Sequence, residues 1–239
     1  MGYTNPTLTE IFTELHLEEN TLPEKSLMTL ARELATSGFD DQEFMQAIIE
    51  SQDQVQEPEP KIVPRIRCWD RERIRLVQLS PDAVFLNLIG EYPGWGKFSE
   101  HVRTTRELLA AALKKNVEPA RVEFTTIDKW KVDLAGFTIG QYLNCGGSFI
   151  PAWYSDVSVS SDISLGQGFH HKDGFNKRVK VTVRISEDDV QFQILITSGV
   201  TGQRGDFDKL MDQLHIESIQ FYEEIITDKV RNEVMGGKK

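Results

Sequence analysis

The sequence predicts an α+β protein in which a curved, mainly antiparallel sheet carries helices on one face. Three observations lead to this class. Stretches that alternate apolar and polar residues, as half-buried strands do, recur along the 239-residue chain. Short turns join consecutive strands, which favours antiparallel pairing. Longer segments repeat apolar residues every three or four positions, which is the spacing of one helix face.

The chain opens with an alternating strand at 7–17 and then an amphipathic helix at 21–38. Thr21 and Glu24 are expected to form a capping box at the start of this helix, and a glycine is expected to end it. We expect a second, shorter helix over 40–49, with its larger apolar residues facing inward.

Three closely spaced strands and a second long helix complete the first half. The segment 51–62 begins with polar residues and prolines and is predicted to be an extended linker inside the domain. The strands are expected at 63–69, 73–80 and 83–90, joined by short turns. A helix within 97–116 follows, with apolar residues spaced by three and four.

The second half of the chain has a similar order of predicted elements. They are a strand, a short helix, three strands and a long helix, at 120–133, 137–144, 153–165, 177–186, 189–199 and within 205–235. The pattern predicts one domain, 1–239, made of two pseudo-repeated halves at about 1–117 and 118–239. An α+β sandwich without duplication is the alternative.

Composition predicts a cytoplasmic protein that has no membrane partner. No apolar run is long enough to cross a bilayer, and the N-terminus lacks the features of a secretory signal. Cys68 and Cys145 lie outside any CxxC pattern, which favours buried thiols in a reducing compartment. The net charge of −10 disfavours general nucleic-acid binding without excluding a local basic patch.

Basic residues recur at predicted outward positions of strands in both halves. If Ile66 and Cys68 face the helices, their neighbours on the strand face away, and the same argument with Leu76 turns Arg73 and Arg75 outward. The candidate binding residues are Arg65, Arg67, Trp69, Arg73, Arg75, Arg178, Lys180 and Arg184. This face is either an anion-binding surface or a solvated face whose cross-strand ion pairs contribute little.

The turn in FLNLIGEYPGWGKFS, residues 85–99, is the second candidate feature. Pro93 and the glycines reverse the chain between the last of the three strands and the helix. Tyr92 and Trp95 are expected to pin this corner onto the sheet, although exposed aromatics beside glycines also line ligand pockets. Asn87 lies on an otherwise apolar strand, so its amide needs hydrogen-bond partners, which the backbone of the corner is expected to supply.

The sequence contains no recognisable catalytic motif. It has no phosphate-binding loop and no GxSxG elbow, so we assign no catalytic residue and no cofactor. The segment 166–176 is read as a loop holding His170, His171 and Asp173, which are weak metal candidates without a recognised ligand spacing. A metal-dependent hydrolase at this loop remains an alternative.

Several short motifs together resemble a sporadically distributed family of bacterial proteins of unknown function. They are an Asn-Pro strand that reaches an acidic residue, an Arg-x-Trp strand, a Leu-Val-Gln-Leu strand, and an Asn-bearing strand that leads into a Tyr-Pro step. The matching residues are Asn5, Pro6, Glu10, Arg67, Trp69, Leu76, Gln78, Asn87, Tyr92 and Pro93. One departure is Leu88, where the family usually has Trp. The resemblance implies no catalytic residues, and its patchy distribution implies mobile, defence- or toxin-associated genes.

These observations predict a non-enzymatic binding or regulatory protein. The leading hypothesis is an accessory factor of a bacterial conflict system, such as phage defence, toxin immunity or an antitoxin-like role, that docks a protein partner. An acidic chain suits a basic partner, whereas the arginine-bearing face suits an anionic one. A nucleic-acid-binding protein that uses that face is the second hypothesis, and the metal-dependent hydrolase is the third.

Overall fold

A computed structural model describes residues 3–18, 21–49, 61–114, 118–135, 137–144, 161–170, 175–186, 189–202 and 205–237. Within these ranges the chain forms three α-helices and nine β-strands. The strands belong to one open antiparallel sheet that does not close into a barrel. The predicted α+β class is therefore confirmed. None of the helices in the described part is long and apolar enough to span a membrane.

The elements follow in chain order. The strands are β1 (Leu8–His16), β2 (Asp41–Ile49), β3 (Lys61–Trp69), β4 (Arg75–Ser80), β5 (Ala83–Ile89), β6 (Arg121–Asp133), β7 (Ser161–His170), β8 (Phe175–Ile185) and β9 (Asp189–Thr201). The helices are α1 (Glu24–Thr36), α2 (Trp95–Leu113) and α3 (Phe207–Ile225), with a 3₁₀ turn at Ile139–Gln141 and a π-helical turn at Val230–Val234. The strand order across the sheet is β2-β3-β4-β5-β1-β6-β9-β8-β7.

The chain divides into two compact units. The α2 unit comprises Phe12–Glu123 and Val200–Asp208, and the α3 unit comprises Met1–Ile11, Phe124–Gly199 and Lys209–Lys239. The predicted duplication, with halves at about 1–117 and 118–239, stays a prediction.

In the α2 unit, the first two helices and the neighbouring strands bury a shared apolar core. Cross-strand neighbours share a face of the sheet, and the register pairs Cys68 with Val77 and Val77 with Leu86. All three are fully buried. The helical residues buried in this unit are Leu27, Leu30, Ala31 and Leu34 of α1, and Phe98, Val102 and Leu109 of α2. The expected amphipathic faces of both helices are thus present.

The α3 unit has an aromatic core centred on Phe192. Its ring stacks on Trp130 at 5.0 Å between centroids, and the rings of Phe137 and Tyr142 lie 5.9 and 5.5 Å away. Tyr222 of α3 is buried with this core, whereas Ile219 on the same helix is 48% exposed. The buried face of α3 instead comprises Met211, Leu214, Ser218 and Tyr222.

Several predicted boundaries were wrong. Residues 41–49 form strand β2 and not a helix, because this segment pairs antiparallel with β3 along its whole length. Positions 61–62 of the expected linker belong to β3, whereas 51–60 lie outside the described residues. Residues 166–170 of the expected loop continue β7, because they pair with β8. The short helix expected at 137–144 contains only the 3₁₀ turn.

Helix α2 starts two residues before the predicted start at position 97. Gly94 occupies the position before the helix with φ of 99°, a left-handed conformation that glycine adopts without steric cost. The helix therefore begins at Trp95, and the hydroxyl of Ser99 donates to the carbonyl of Gly96 inside the first turn. This early start brings the first turns of α2 to the edge of the cleft described next.

Candidate functional site

A cleft of about 620 Å³ lies in the α2 unit, beside helix α2. The end of α1, the turn between β3 and β4, and the first residue of β4 form its other walls. The side chains that line it include Phe39, Asp70, Arg75, Lys97, His101 and Thr104. We call this feature the α2 cleft. Its volume is in the range of pockets that hold small molecules.

His101 is the unusual side chain of the α2 cleft. It projects from the buried stripe of α2, is only 5% exposed, and stacks on the ring of Phe39 at 5.6 Å between centroids. The imidazole bonds to the backbone of Leu76, whereas its Nε2 has no hydrogen-bond partner among the described residues. The bond to Leu76 is therefore made by Nδ1–H to the carbonyl oxygen, and the lone pair of Nε2 is left unused.

The protonation state of His101 follows from its surroundings. Burial, followed by the positive charge of Arg75, lowers the pKa of His101 to about 4. The imidazole is therefore neutral near pH 7 and is a hydrogen-bond acceptor at Nε2. A group with so low a pKa is a weak general base at neutral pH. The neutral imidazole is therefore an enclosed acceptor at the wall of the cleft.

Arg75 is fixed at the mouth of the cleft by Asp70. Its Nε donates to Oδ2 of Asp70 at 2.9 Å, and its guanidinium lies over the ring of Phe39 at 5.1 Å. Oδ1 of Asp70 accepts the backbone N–H groups of Ile74 and Arg75. Burial alone would raise the pKa of Asp70, but these bonds outweigh it and hold the pKa below its usual value. Asp70 is thus an ionised anchor that orients Arg75.

The charges around the α2 cleft are balanced. Three basic and three acidic side chains line it, namely Arg71, Arg75, Lys97, Asp70, Glu72 and Glu100. Asp70 is already bonded to Arg75. The donors of the cleft then include the terminal nitrogens of Arg75, Lys97 and Thr104, and its acceptors include Glu72, Glu100 and the enclosed Nε2 of His101.

Arg75 does not lie on the predicted arginine-bearing face. The register pairs Arg75 with Leu88, and both line the cleft on the side of α2. Arg67 instead pairs with Gln78, which lies on the opposite face of β4. The prediction failed because β4 is buried on both faces, so its apolar residues do not indicate which side faces the helices.

The other predicted residues of the first half contact acidic, amide or aromatic groups. Arg73 contacts Asp41 and Glu43 at 2.7 and 2.9 Å, and its guanidinium lies 5.3 Å from the ring of Trp69. Arg65 and Arg67 also contact neighbouring side chains. Arg65 lies over Phe85 at 4.8 Å, and Nε of Arg67 donates to Gln78 at 3.2 Å. These contacts favour the solvated, internally paired interpretation for this part of the face.

The basic residues of the second half are arranged as predicted. Val181, Val183 and Ile185 are buried, and Arg178, Lys180 and Arg184 alternate with them as exposed side chains of β8. We call these three exposed residues the β8 basic face. The register places Gly166 of β7 opposite Lys180, and Gly168 opposite Arg178. The neighbouring strand therefore adds no side chain beside these two cations.

The turn 85–99 contributes to the cleft at its edge. Pro93 lines the cleft, whereas Trp95 packs on Phe98 at 5.7 Å. Asn87 is buried and accepts a hydrogen bond from Nε2 of Gln78 at 3.3 Å, so a side chain of β4 is one of its partners. Tyr92 is half-buried, and its hydroxyl has no hydrogen-bond partner within the described ranges. Burial raises the pKa of Tyr92 to about 12.

Among the described side chains, the metal-ligating group that converges is not one named from the sequence. His171 and Asp173 lie outside the described residues, and the side chain of His170 is likewise not described. A different group converges in the α2 unit, formed by Glu14, His16 and Glu123. We call it the β1–β6 triad. The carboxylates of Glu123 and then Glu14 raise the pKa of His16 to about 9, against the opposing effect of burial.

The sequence contained a pattern from which a site at His101 could have been predicted, but it contained little that indicated the β1–β6 triad. His101 falls three residues after Phe98 and four before Thr105, on the buried stripe of α2. A histidine on such a stripe is a reason to look for a buried polar site. Glu14 and His16 share one side of β1, but nothing in the sequence indicates that Glu123, far along the chain, joins them.

No family model matches the chain, and a search of curated proteins finds none similar to it. The interpretation of function therefore rests on the residues themselves.

Proposed function

We propose that this chain is a non-enzymatic binding protein whose α2 cleft holds a small polar ligand. The observation that carries the proposal is Nε2 of His101, an enclosed acceptor at the wall of the cleft that has no hydrogen-bond partner among the described residues. A buried acceptor without a partner costs stability, of the order of 1–3 kcal/mol in typical proteins. A ligand that donates an N–H or O–H to this atom would remove that cost.

The walls of the α2 cleft suggest what else the ligand carries. Asp70 holds Arg75 through Nε, and within the described residues the terminal nitrogens of Arg75 make no further hydrogen bond, so they can bind a carboxylate or a phosphate. Lys97 and Thr104 lie on the α2 wall and add further donors. We therefore infer a small molecule with a hydrogen-bond donor and an anionic group, such as an amino acid or a nucleotide.

The low basicity of His101 favours binding over catalysis. An imidazole with a pKa near 4 takes up a proton poorly at neutral pH, so it accepts hydrogen bonds without abstracting protons efficiently. Its stacking on Phe39 and its bond to Leu76 hold the ring in one orientation. This combination suits a fixed recognition group.

A ligand screen with a matched pair of variants tests the proposal. The panel consists of amino acids, nucleosides, nucleotides and small organic acids, and binding is followed by thermal shift and then by titration calorimetry. His101→Phe keeps an aromatic ring on Phe39 but removes the acceptor. We expect it to weaken binding of a true ligand about tenfold, the value of one hydrogen bond.

His215→Phe is the matched control. His215 is another partly buried histidine whose pKa is lowered to about 4 by burial, and it packs edge-on against Phe124 in the α3 unit. It does not line the α2 cleft, so this substitution should leave ligand affinity unchanged. Ligands that bind His101→Phe as tightly as the wild type would contradict the proposal.

Binding of nucleic acid is a second candidate function. The observation in its favour is the β8 basic face, where Arg178, Lys180 and Arg184 are all exposed on one side of a strand. The first-half arginines support it less, because Arg73 is engaged by Asp41 and Glu43. The salt dependence of oligonucleotide binding tests this candidate.

The wider biological role stays a prediction. A bacterial conflict-system factor that docks a protein partner is supported by the resemblance of short motifs and by the net charge of −10, which suits a basic partner. In this role, binding of the small ligand in the α2 cleft would be the signal to which the protein responds. A pull-down from the native host with no stoichiometric partner would count against the docking part.

A further inference from the structure

The β1–β6 triad brings three metal-ligating side chains together from two strands. Glu14 and His16 lie on β1, and Glu123 lies on β6. One donor atom from each side chain falls within 4.8 Å of the other two. Neither strand carries all three ligands, so it is the neighbouring position of β1 and β6 that brings them together.

The distances fit ligands that share one ion. Nε2 of His16 lies 3.2 Å from Oε2 of Glu14 and 3.8 Å from Oε2 of Glu123. Metal–ligand bonds of about 2.0–2.2 Å place neighbouring donor atoms roughly 3–4 Å apart. The side chain of Glu14 is 20% exposed, which gives it freedom to adjust.

His16 lies between the two carboxylates of the triad. Its Nε2 is buried and makes ionic contacts with both of them. A divalent ion held by all three donors would replace these ionic contacts with metal–ligand bonds.

The surroundings of Glu123 orient its carboxylate. Glu123 is buried, and Arg121 on the same strand bonds to its Oε1. Oε2 of Glu123 lies 3.8 Å from Nε2 of His16. The hydroxyl of Thr13 donates to the backbone carbonyl of Glu123 at 2.8 Å, which ties β1 to β6 beside the triad. Such outer contacts commonly fix the ligands of a metal site.

We propose that Glu14, His16 and Glu123 form a binding site for a first-row divalent transition metal, such as Zn²⁺ or Mn²⁺. One imidazole nitrogen with two carboxylates selects these ions over Mg²⁺ and Ca²⁺, which prefer oxygen ligands alone. The ion takes the place of the proton on Nε2 of His16. None of the three ligands lines the α2 cleft, so the site is independent of the proposed function.

Titration of the untagged, metal-stripped protein with zinc chloride, and separately with manganese chloride, tests the site. We expect one ion to bind per chain and the melting temperature to rise, because the ion would link β1 to β6. Magnesium chloride should have little effect. His16→Gln and Glu14→Gln should each weaken Zn²⁺ binding at least about tenfold. Neither variant removes the buried Glu123, so both are expected to fold.

Glu10→Gln and a variant with both His170→Gln and His171→Gln are the controls. Glu10 lies on the same strand as Glu14 but outside the triad, and the two other histidines are the metal candidates of the sequence. Both controls should bind Zn²⁺ as the wild type does. Absence of binding to the wild type, or loss of binding only in the His170/His171 variant, would overturn the proposal.

Discussion

The hydroxyl of Thr7 donates a hydrogen bond of 2.8 Å to Oδ1 of Asp128, and this bond lies in the interior of the α3 unit. The hydroxyl of Tyr222 lies 2.7 Å from the same Thr7 oxygen. Tyr222 therefore donates to Thr7, and Thr7 donates to Asp128. Burial raises the pKa of Asp128 to about 7, and the bond from Thr7 lowers it only in part.

This carboxyl group predicts a pH-dependent stability. In the unfolded chain Asp128 ionises near 3.8, whereas in the folded protein it keeps its proton up to about pH 7. The free energy of unfolding therefore loses a contribution of a few kcal/mol as the pH rises through this window, and the loss levels off above it. Asp128→Asn removes the contribution. We expect this variant to gain stability relative to the wild type between about pH 4 and pH 7.

Urea unfolding of both proteins across this pH range measures the difference. Asp189→Asn is the matched control, because hydrogen bonds from Lys131, Gln191 and Ser186 lower the pKa of the partly exposed Asp189. The pH dependence that Asp189 contributes lies below about pH 4, so the difference between this variant and the wild type should stay constant between about pH 4 and pH 7. A constant difference between Asp128→Asn and the wild type at all pH values would contradict the prediction.

The β8 basic face predicts a salt-dependent interaction if the chain binds nucleic acid. Replacing Arg178, Lys180 and Arg184 with glutamine should reduce the slope of log affinity against log salt by about two to three, since each lost phosphate contact removes close to one unit. Anisotropy of a labelled single-stranded oligonucleotide over about 50 to 200 mM salt measures the slope.

Substitution of Arg67 and Arg73 with glutamine is the comparison. Both side chains are already engaged within the α2 unit, by Gln78 and by Asp41 and Glu43. The slope should therefore stay as in the wild type. If the wild type binds no oligonucleotide even at the lowest salt, the nucleic-acid candidate is removed.

Phe192 predicts the largest loss of stability among the single substitutions considered. Its ring is 2% exposed and contacts the rings of Trp130, Phe137 and Tyr142. Phe192→Ala should cost about 3–5 kcal/mol of unfolding free energy, because it leaves a cavity in an aromatic core. Phe44→Ala, at a site that is 61% exposed, should cost less than about 0.5 kcal/mol by the same unfolding measurement. Equal losses for the two variants would contradict this assignment of the core.

Hydrophobic periodicity predicted most of the fold because it reports burial. The stripe of α2 and the alternation of β8, with Val181 and Val183 buried between exposed cations, follow from spacing alone. Periodicity failed at β2, where Phe44 and Met45 are apolar but exposed. It also failed at β4. Both faces of this strand are buried, so its apolar residues do not show which way Arg75 points. In both places pairing with neighbouring strands decided the structure.

The candidate sites were harder to predict for a different reason. His101 could have been found from its place on an apolar helical stripe, but its partner Phe39 lies before β2, and no spacing links the two. Glu123 and His16 meet only because β1 and β6 are neighbours in the sheet. Such pairs depend on strand order, which local sequence does not encode.

Tyr92 in the turn before α2 gives the final prediction. The ring was expected to pin the corner onto the sheet, and its hydroxyl is buried without a partner in the described part of the protein. Tyr92→Phe keeps the ring and removes the unsatisfied hydroxyl, so it should leave stability unchanged or raise it by up to about 1 kcal/mol. Tyr92→Ala removes the ring as well and should cost about 2 kcal/mol or more. Urea unfolding compares the two variants, and a large loss in Tyr92→Phe would show that the hydroxyl has a partner that stabilises the turn.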